Sequence, residues 1–134
     1  MSRLHGADVL IWVPVGGNLL LAAWAGLRSL RGHRVLPAGF WAGLLVLLAF
    51  LSVQLLAGVL LLAEGVRPRA GLHLLYGILV FAFALAQFGL RPRGFLRARL
   101  IAGPESPDAR LMALLCFTQA ALMLRAWMTG VFGR

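Results

Sequence analysis

The chain has 134 residues, 61% hydrophobic and 13% charged, with a formal net charge of +9 and a single cysteine. A mean hydropathy of +0.90 marks membrane composition in one small domain. It excludes a nucleic-acid-binding surface, because the arginines lie between apolar runs. The lone Cys116 excludes an internal disulfide or a Cys-based metal centre.

Residues 9–27 form the first apolar run, with Pro14 in its first two turns and Gly16 and Gly17 just behind. Arg3, an apolar stretch and Ala23-Trp24-Ala25 loosely match a secretion signal. The run is nevertheless long enough to span, so a retained first helix is expected. Residues 28–37 carry Arg28, Arg31, Arg34 and His33 and form the first loop, and Pro37 suits the first turn of the next helix.

Ala38 to Ala63 is an uncharged run broken only by Ser52 and Gln54 among its polar residues. Roughly 20 apolar residues in a helix cross a hydrocarbon core of about 30 Å, so this run spans with some tilt. Gly39-x3-Gly43 in it permits close helix approach. A short link, 64–70, with Glu64, Arg67 and Arg69, makes the second and third spans antiparallel neighbours. The third span is 71–90. In the third loop, 91–108, Phe95, Leu96, Leu100 and Ile101 alternate with Arg93, Arg97 and Arg99. That pattern fits a short amphipathic segment at the interface, apolar side in lipid and arginines toward phosphates. The fourth span is about 109–132, with Ser106 as N-cap, Pro107 and Asp108 in its first turn, and Thr129-Gly130 beginning a C-cap.

The expected fold is all-α: a four-transmembrane-helix antiparallel bundle and a multi-pass protein of the inner (plasma) membrane. Orientation follows the arginine bias. The first and third loops hold Arg28, Arg31, Arg34, Arg91, Arg93, Arg97, Arg99 and Arg110; the other side holds Arg3, Arg67, Arg69 and Arg134. Both termini are therefore expected outside. Trp12, Trp24, Trp41 and Trp127 fall toward span ends, as an aromatic belt does.

Polar residues within spans face the bundle interior. Counting from the outer ends at 1.5 Å per residue, Asn18, Gln54 and Gln119 share a layer roughly 15 Å deep. Nearer the outside, His73 and Tyr76 share a helix face at i, i+3. Arg125 lies at a similar depth, where Asp8 or Glu64 is expected to pair with it as part of a polar cluster. Gln54 precedes Gly65, and Gln119 precedes Gly130, by the same interval, which suggests two related hairpins.

No nucleophile–base pair, metal-ligand cluster or phosphate-binding loop is visible, so no catalytic residue is assigned. The cofactor reading places haem iron or a quinone at His73 and Tyr76, with Arg125, Arg67 or Arg69 meeting propionates. Met123 and Met128 are the candidate second axial ligands, and Gly58 and Gly77 make room for a flat ring. Without a cofactor, the metal assignment is none.

Gln54-x3-Gly58 followed by His73-x2-Tyr76-Gly77 resembles small four-span membrane proteins and, more distantly, one four-helix half of haem A synthase. The resemblance covers the second and third spans. That family uses two haem-facing His per half and a Glu-x-x-His-Arg element, whereas this chain has only His73 within a span. What the resemblance implies is a haem-associated bundle rather than synthase activity. Three functions are therefore expected, in this order: a non-catalytic accessory subunit of a larger membrane complex, of respiratory type, contacting lipids and other transmembrane subunits; a haem- or quinone-binding redox protein using His73; and a small transporter.

Overall fold

A computed structural model describes residues 8–68, 71–100 and 108–132. Its elements are α1 (Asp8–Leu30), α2 (Ala38–Ala63), α3 (Gly71–Leu90), the single-turn α4 (Arg97–Leu100) and α5 (Asp108–Phe132). All four long helices are long and apolar enough to cross a membrane, and they form an all-α four-helix bundle.

Helix ends are set by glycine and proline. Gly32 has φ +78, with His33 N donating to Arg28 O (2.9 Å) and Gly32 N to Ser29 O (3.0 Å). Gly65 has φ +83, with Val66 N donating to Leu61 O and Gly65 N to Leu62 O, both 3.0 Å. Each is a Schellman closure that needs a left-handed residue, which glycine supplies without a Cβ penalty. Pro37 is the N-cap of α2 rather than part of its first turn. The cap assigned to Ser106 and Pro107 lies outside the described residues.

Gly130 departs from expectation. It does not cap α5; the helix continues to Phe132, and Thr129 Oγ1 donates back to Arg125 O (3.1 Å) and Ala126 O (2.9 Å). The Gln–Gly interval therefore has no structural echo, because Gly65 ends a helix and Gly130 lies inside one.

The helices are arranged in the order α2–α1–α5–α3. α1 and α5 share the largest interface, α3 lies on α5, and α2 lies on α1. At the α1–α2 crossing, Gly17 accommodates the Leu47 side chain, Gly39 faces Trp24 and Gly43 faces Leu21. Trp24 and Trp41 both pack on the buried Phe40 ring near the arginine-rich end, while Trp12 packs on Trp127 at a tilt of 58° at the other. α2 and α3 are neighbours, as expected from the short link, but their interface is the smallest of the four main ones between the long helices. The short link holds their ends together, but α3 spends its packing surface on α5.

The third loop also differs from a segment lying flat on lipid. Leu96 folds back onto the core and its N–H donates to Gly89 O (3.0 Å), while Phe95 stays exposed. Arg97 turns inward: Nη2 meets Asp108 Oδ2 at 2.8 Å and Nη1 donates to Leu90 O at 3.4 Å. One guanidinium thus caps α3 and neutralises the buried first-turn acid of α5. Ala109 N donates to Arg34 O (3.0 Å), tying the first loop to the same corner. Ile101 lies outside the described residues.

Candidate ligand cleft

The weak α2–α3 contact leaves a long cleft between them, with a volume of about 910 Å³, floored by α5 and the start of α1. Most of the lining is aliphatic. The polar wall groups are Ser52, Gln54 and His73, with Arg67 at the mouth by the link. Ser52 Oγ donates to Leu48 O within its own helix (2.8 Å). Gly58 and Gly77 line the cleft without side chains, and a Cβ built at Gly77 meets nothing within 4 Å.

His73 is held by α5. Its Nδ1 lies 2.8 Å from Ala126 O, and since a carbonyl only accepts, Nδ1–H is the donor. The contact depends on Gly130, whose Cβ, if present, would sit 3.0 Å from Cε1 and Nδ1 of the ring. Gly130 therefore lets the imidazole reach the α5 backbone.

The cluster expected from sequence separates. Tyr76 and Arg125 meet on the α3–α5 side, the guanidinium 5.7 Å from the ring centroid, and neither lines the cleft. Arg125 is exposed, as are Asp8 and Glu64, and Arg97 and Asp108 form an ion pair at the opposite end of the bundle. Exposed carboxylates gain little from pairing, so these helix ends need no cross-link.

The expected amide layer is also redistributed. Asn18 and Gln119 are buried, whereas Gln54 is half-buried in the cleft wall. The partner of Asn18 is Gln87, a residue the sequence reading missed. Gln87 Nε2 donates to Asn18 Oδ1 (3.0 Å) and lies 3.4 Å from Cys116 Sγ. Asn18 Nδ2 in turn donates to Pro14 O (2.9 Å), and Gln119 Nε2 to Val80 O (3.2 Å). Depth counted from one end does not find this pair, because α1 runs past α3 and shifts the register. The available signal was chemical: Gln87 is an amide alone in an apolar run, like Gln54 and Gln119.

Haem was tested against these walls. A metal-bound histidine typically gives its other N–H to a carbonyl, as Nδ1 of His73 does. Across the cleft, the α2 wall supplies Leu, Val, Ser52, Gln54 and Gly58, with no His or Met. Met123 lines the cleft from α5, beside Ala126 on the same side as His73, and Met128 does not line it. Among the described residues no three of His, Cys, Asp and Glu converge on one point. The arrangement orients a histidine but does not oppose it with a second axial ligand. No protein-family model matches the chain, and neither a curated protein nor a solved structure does.

Proposed function

We propose that the chain is a small accessory subunit of the inner membrane that holds a lipid-soluble ligand in its α2–α3 cleft. Haem and quinone are the redox candidates, and the resemblance to haem A synthase favours a respiratory assembly. The observation that carries this reading is the open seam itself, polar only where His73, Gln54 and Ser52 interrupt it. The ligand supplies any electron chemistry; the protein supplies position and exclusion of water. Two of the wall's polar side chains are fixed by backbone partners, His73 by Ala126 and Ser52 by Leu48, which suits a preformed site.

The test is direct. Gently solubilised protein is analysed by absorbance in oxidised and reduced states and by organic extraction with mass spectrometry. The reading expects a chromophore or quinone that is retained through purification and lost in His73→Ala. Protein carrying neither, in the same state as His73→Ala, refutes it.

A second reading is favoured by the same poor α2–α3 packing: a transmembrane helix of another subunit closes the seam. Native electrophoresis with mass spectrometry separates the two. A stoichiometric partner that leaves with a Gly77→Phe plug supports helix docking.

A further inference from the structure

Independently of what fills the cleft, we infer that the bundle holds an internal hydration site between α3 and α5, where water donates to the side-chain carbonyls of Gln87 and Gln119.

The direction of the amides carries the inference. Pro14 O is a backbone carbonyl and can only accept, so Asn18 turns Nδ2 to it (2.9 Å). Asn18 Oδ1 then faces Gln87 and takes Nε2 at 3.0 Å, and the same Nε2 lies 3.4 Å from Cys116 Sγ. Gln87 Oε1 is left pointing elsewhere. Val80 O is likewise an acceptor only, so Gln119 gives it Nε2 (3.2 Å) and turns Oε1 away. Flipping either amide would set oxygen against oxygen. Both Oε1 atoms are buried and have no hydrogen-bond partner among the described residues.

Burial and charge select the ligand. Both glutamines are 0% exposed, so neither a lipid nor a side chain of another subunit reaches them. The donor must be small and carried inside the fold. The network around them is amide, thiol and hydrocarbon, where a cation would be buried without a counter-charge, which is costly. The backbone N–H groups of α3 and α5 are spent within their own helices. Water is small, neutral and has two donors, and buried water typically makes about three bonds to groups left unpaired. Gln87 reaches Cys116, and Cys116 and Gln119 are i, i+3 neighbours on one face of α5. The two amides therefore belong to one stretch of the interface. Its intervening residues are small, as room for water demands: Ala84 shares a stripe of α3 with Val80 and Gln87, and Ala120 is buried beside Gln119. In hydrocarbon no bulk water meets a stray carbonyl, and each one left unpaired lowers the folding constant ~5- to 150-fold. The water makes a joint behind the cleft. Val80 shows its side chain to the cleft and its carbonyl to Gln119, so α3 is held from the rear while its front borders the seam.

The test uses the full chain in micelles, with ¹³C-labelled glutamine and phenylalanine, and reads magnetisation transfer from water by NMR. The non-exchanging γ-methylene protons of Gln87 and Gln119 should show contacts with long-resident water. The ring of Phe40, also 0% exposed, should show none. Gln119→Met keeps the length of the side chain without the carbonyl and should weaken the Gln87 contact severalfold; Gln87→Met should do the same at Gln119. The unfolding constants of the two single variants and the double should depart from multiplicativity by ~tenfold. Absence of water contacts in the wild type overturns the inference. So do equal contacts at Phe40, which mean that water penetrates the bundle at large, and contacts that grow with pH, which mean relay through exchanging amide protons. Contacts that survive the partner's substitution unchanged, with multiplicative unfolding constants, also overturn it. Should a variant fail to fold, the wild-type spectrum alone decides.

Discussion

Replacing Gly130 by alanine should change sign with the residue at position 73. In the native chain the new Cβ would lie 3.0 Å from the His73 ring. The ring cannot retreat without stretching its 2.8 Å bond to Ala126 O. Overpacking of this kind costs ~1–3 kcal/mol. Against it stands the helix-interior gain of Gly→Ala, ~0.5–1 kcal/mol. The net expectation is destabilisation by ~0.5–2 kcal/mol. In a His73→Ala background the obstacle is gone, and the same substitution should stabilise by ~0.5–1 kcal/mol. The double-mutant cycle therefore carries a coupling of ~1–3 kcal/mol. Reversible unfolding in mild detergent, followed by tryptophan fluorescence, measures all four corners. If Gly130→Ala has the same sign and size in both backgrounds, the imidazole is not pinned to α5 and the cleft wall is wrongly built.

Other perturbations test other joints. Gly65→Ala forces an L side chain into φ +83 and should cost ~1–2 kcal/mol in the same unfolding assay. Gly17→Val drives a branched side chain into Leu47 and should cost ~1–3 kcal/mol, whereas Gly77→Ala, with open space around its Cβ, should be neutral or stabilising by up to ~1 kcal/mol. Asn18→Leu removes the oxygen that accepts from buried Gln87 and should cost ~0.6–1.7 kcal/mol beyond its packing change. Because Gln87 Oε1 has no hydrogen-bond partner among the described residues, the Asn18→Leu/Gln87→Leu pair should recover much of that loss.

What the sequence made legible was whatever is punctuated. Runs of about 20 apolar residues bounded by arginine, proline and glycine are long enough for spanning helices, so four long helices were expected and α2 and α3 begin and end at the chain's own stops. Lateral order was not legible. α2 is apolar around its whole circumference, and an all-round apolar helix carries no stripe to say which neighbour it meets. Loop length suggested α3; the structure places α2 on α1, where Gly17, Gly39 and Gly43 allow close approach. Gly130 was misread for a related reason. A glycine near a helix end looks like a cap until the imidazole lying against it is known. Among the candidate site residues, the sequence placed His73, Tyr76 and Arg125 near one end of the bundle but not which of them line the cleft: His73 does, while Tyr76 and Arg125 do not.

The open seam also has an energetic logic particular to lipid. In water, two leucine-rich helix faces this close would be driven together by burial worth ~25 cal/mol per Å². In a bilayer that term vanishes, because tails solvate leucine as well as leucine does, and closure must come from packing and polar contacts. α3 finds its described side-chain contacts on α1 and α5: Gln87 with Asn18 and Cys116, Val80 O with Gln119, and His73 with Ala126 O. These bonds hold α3 to the α1–α5 pair, while α2 is held by glycine-mediated packing on α1. α2 and α3 share only a small interface beside a link closed by Gly65, so the gap between them costs little while something hydrocarbon fills it. A wall that is inert except at Ser52, Gln54 and His73 will accept any chain, but it discriminates only at those three places. Exchanging Ser52 and Gln54, which lie on α2, for isosteric apolar side chains should therefore leave the fold and the seam in place while weakening selectivity for the ligand.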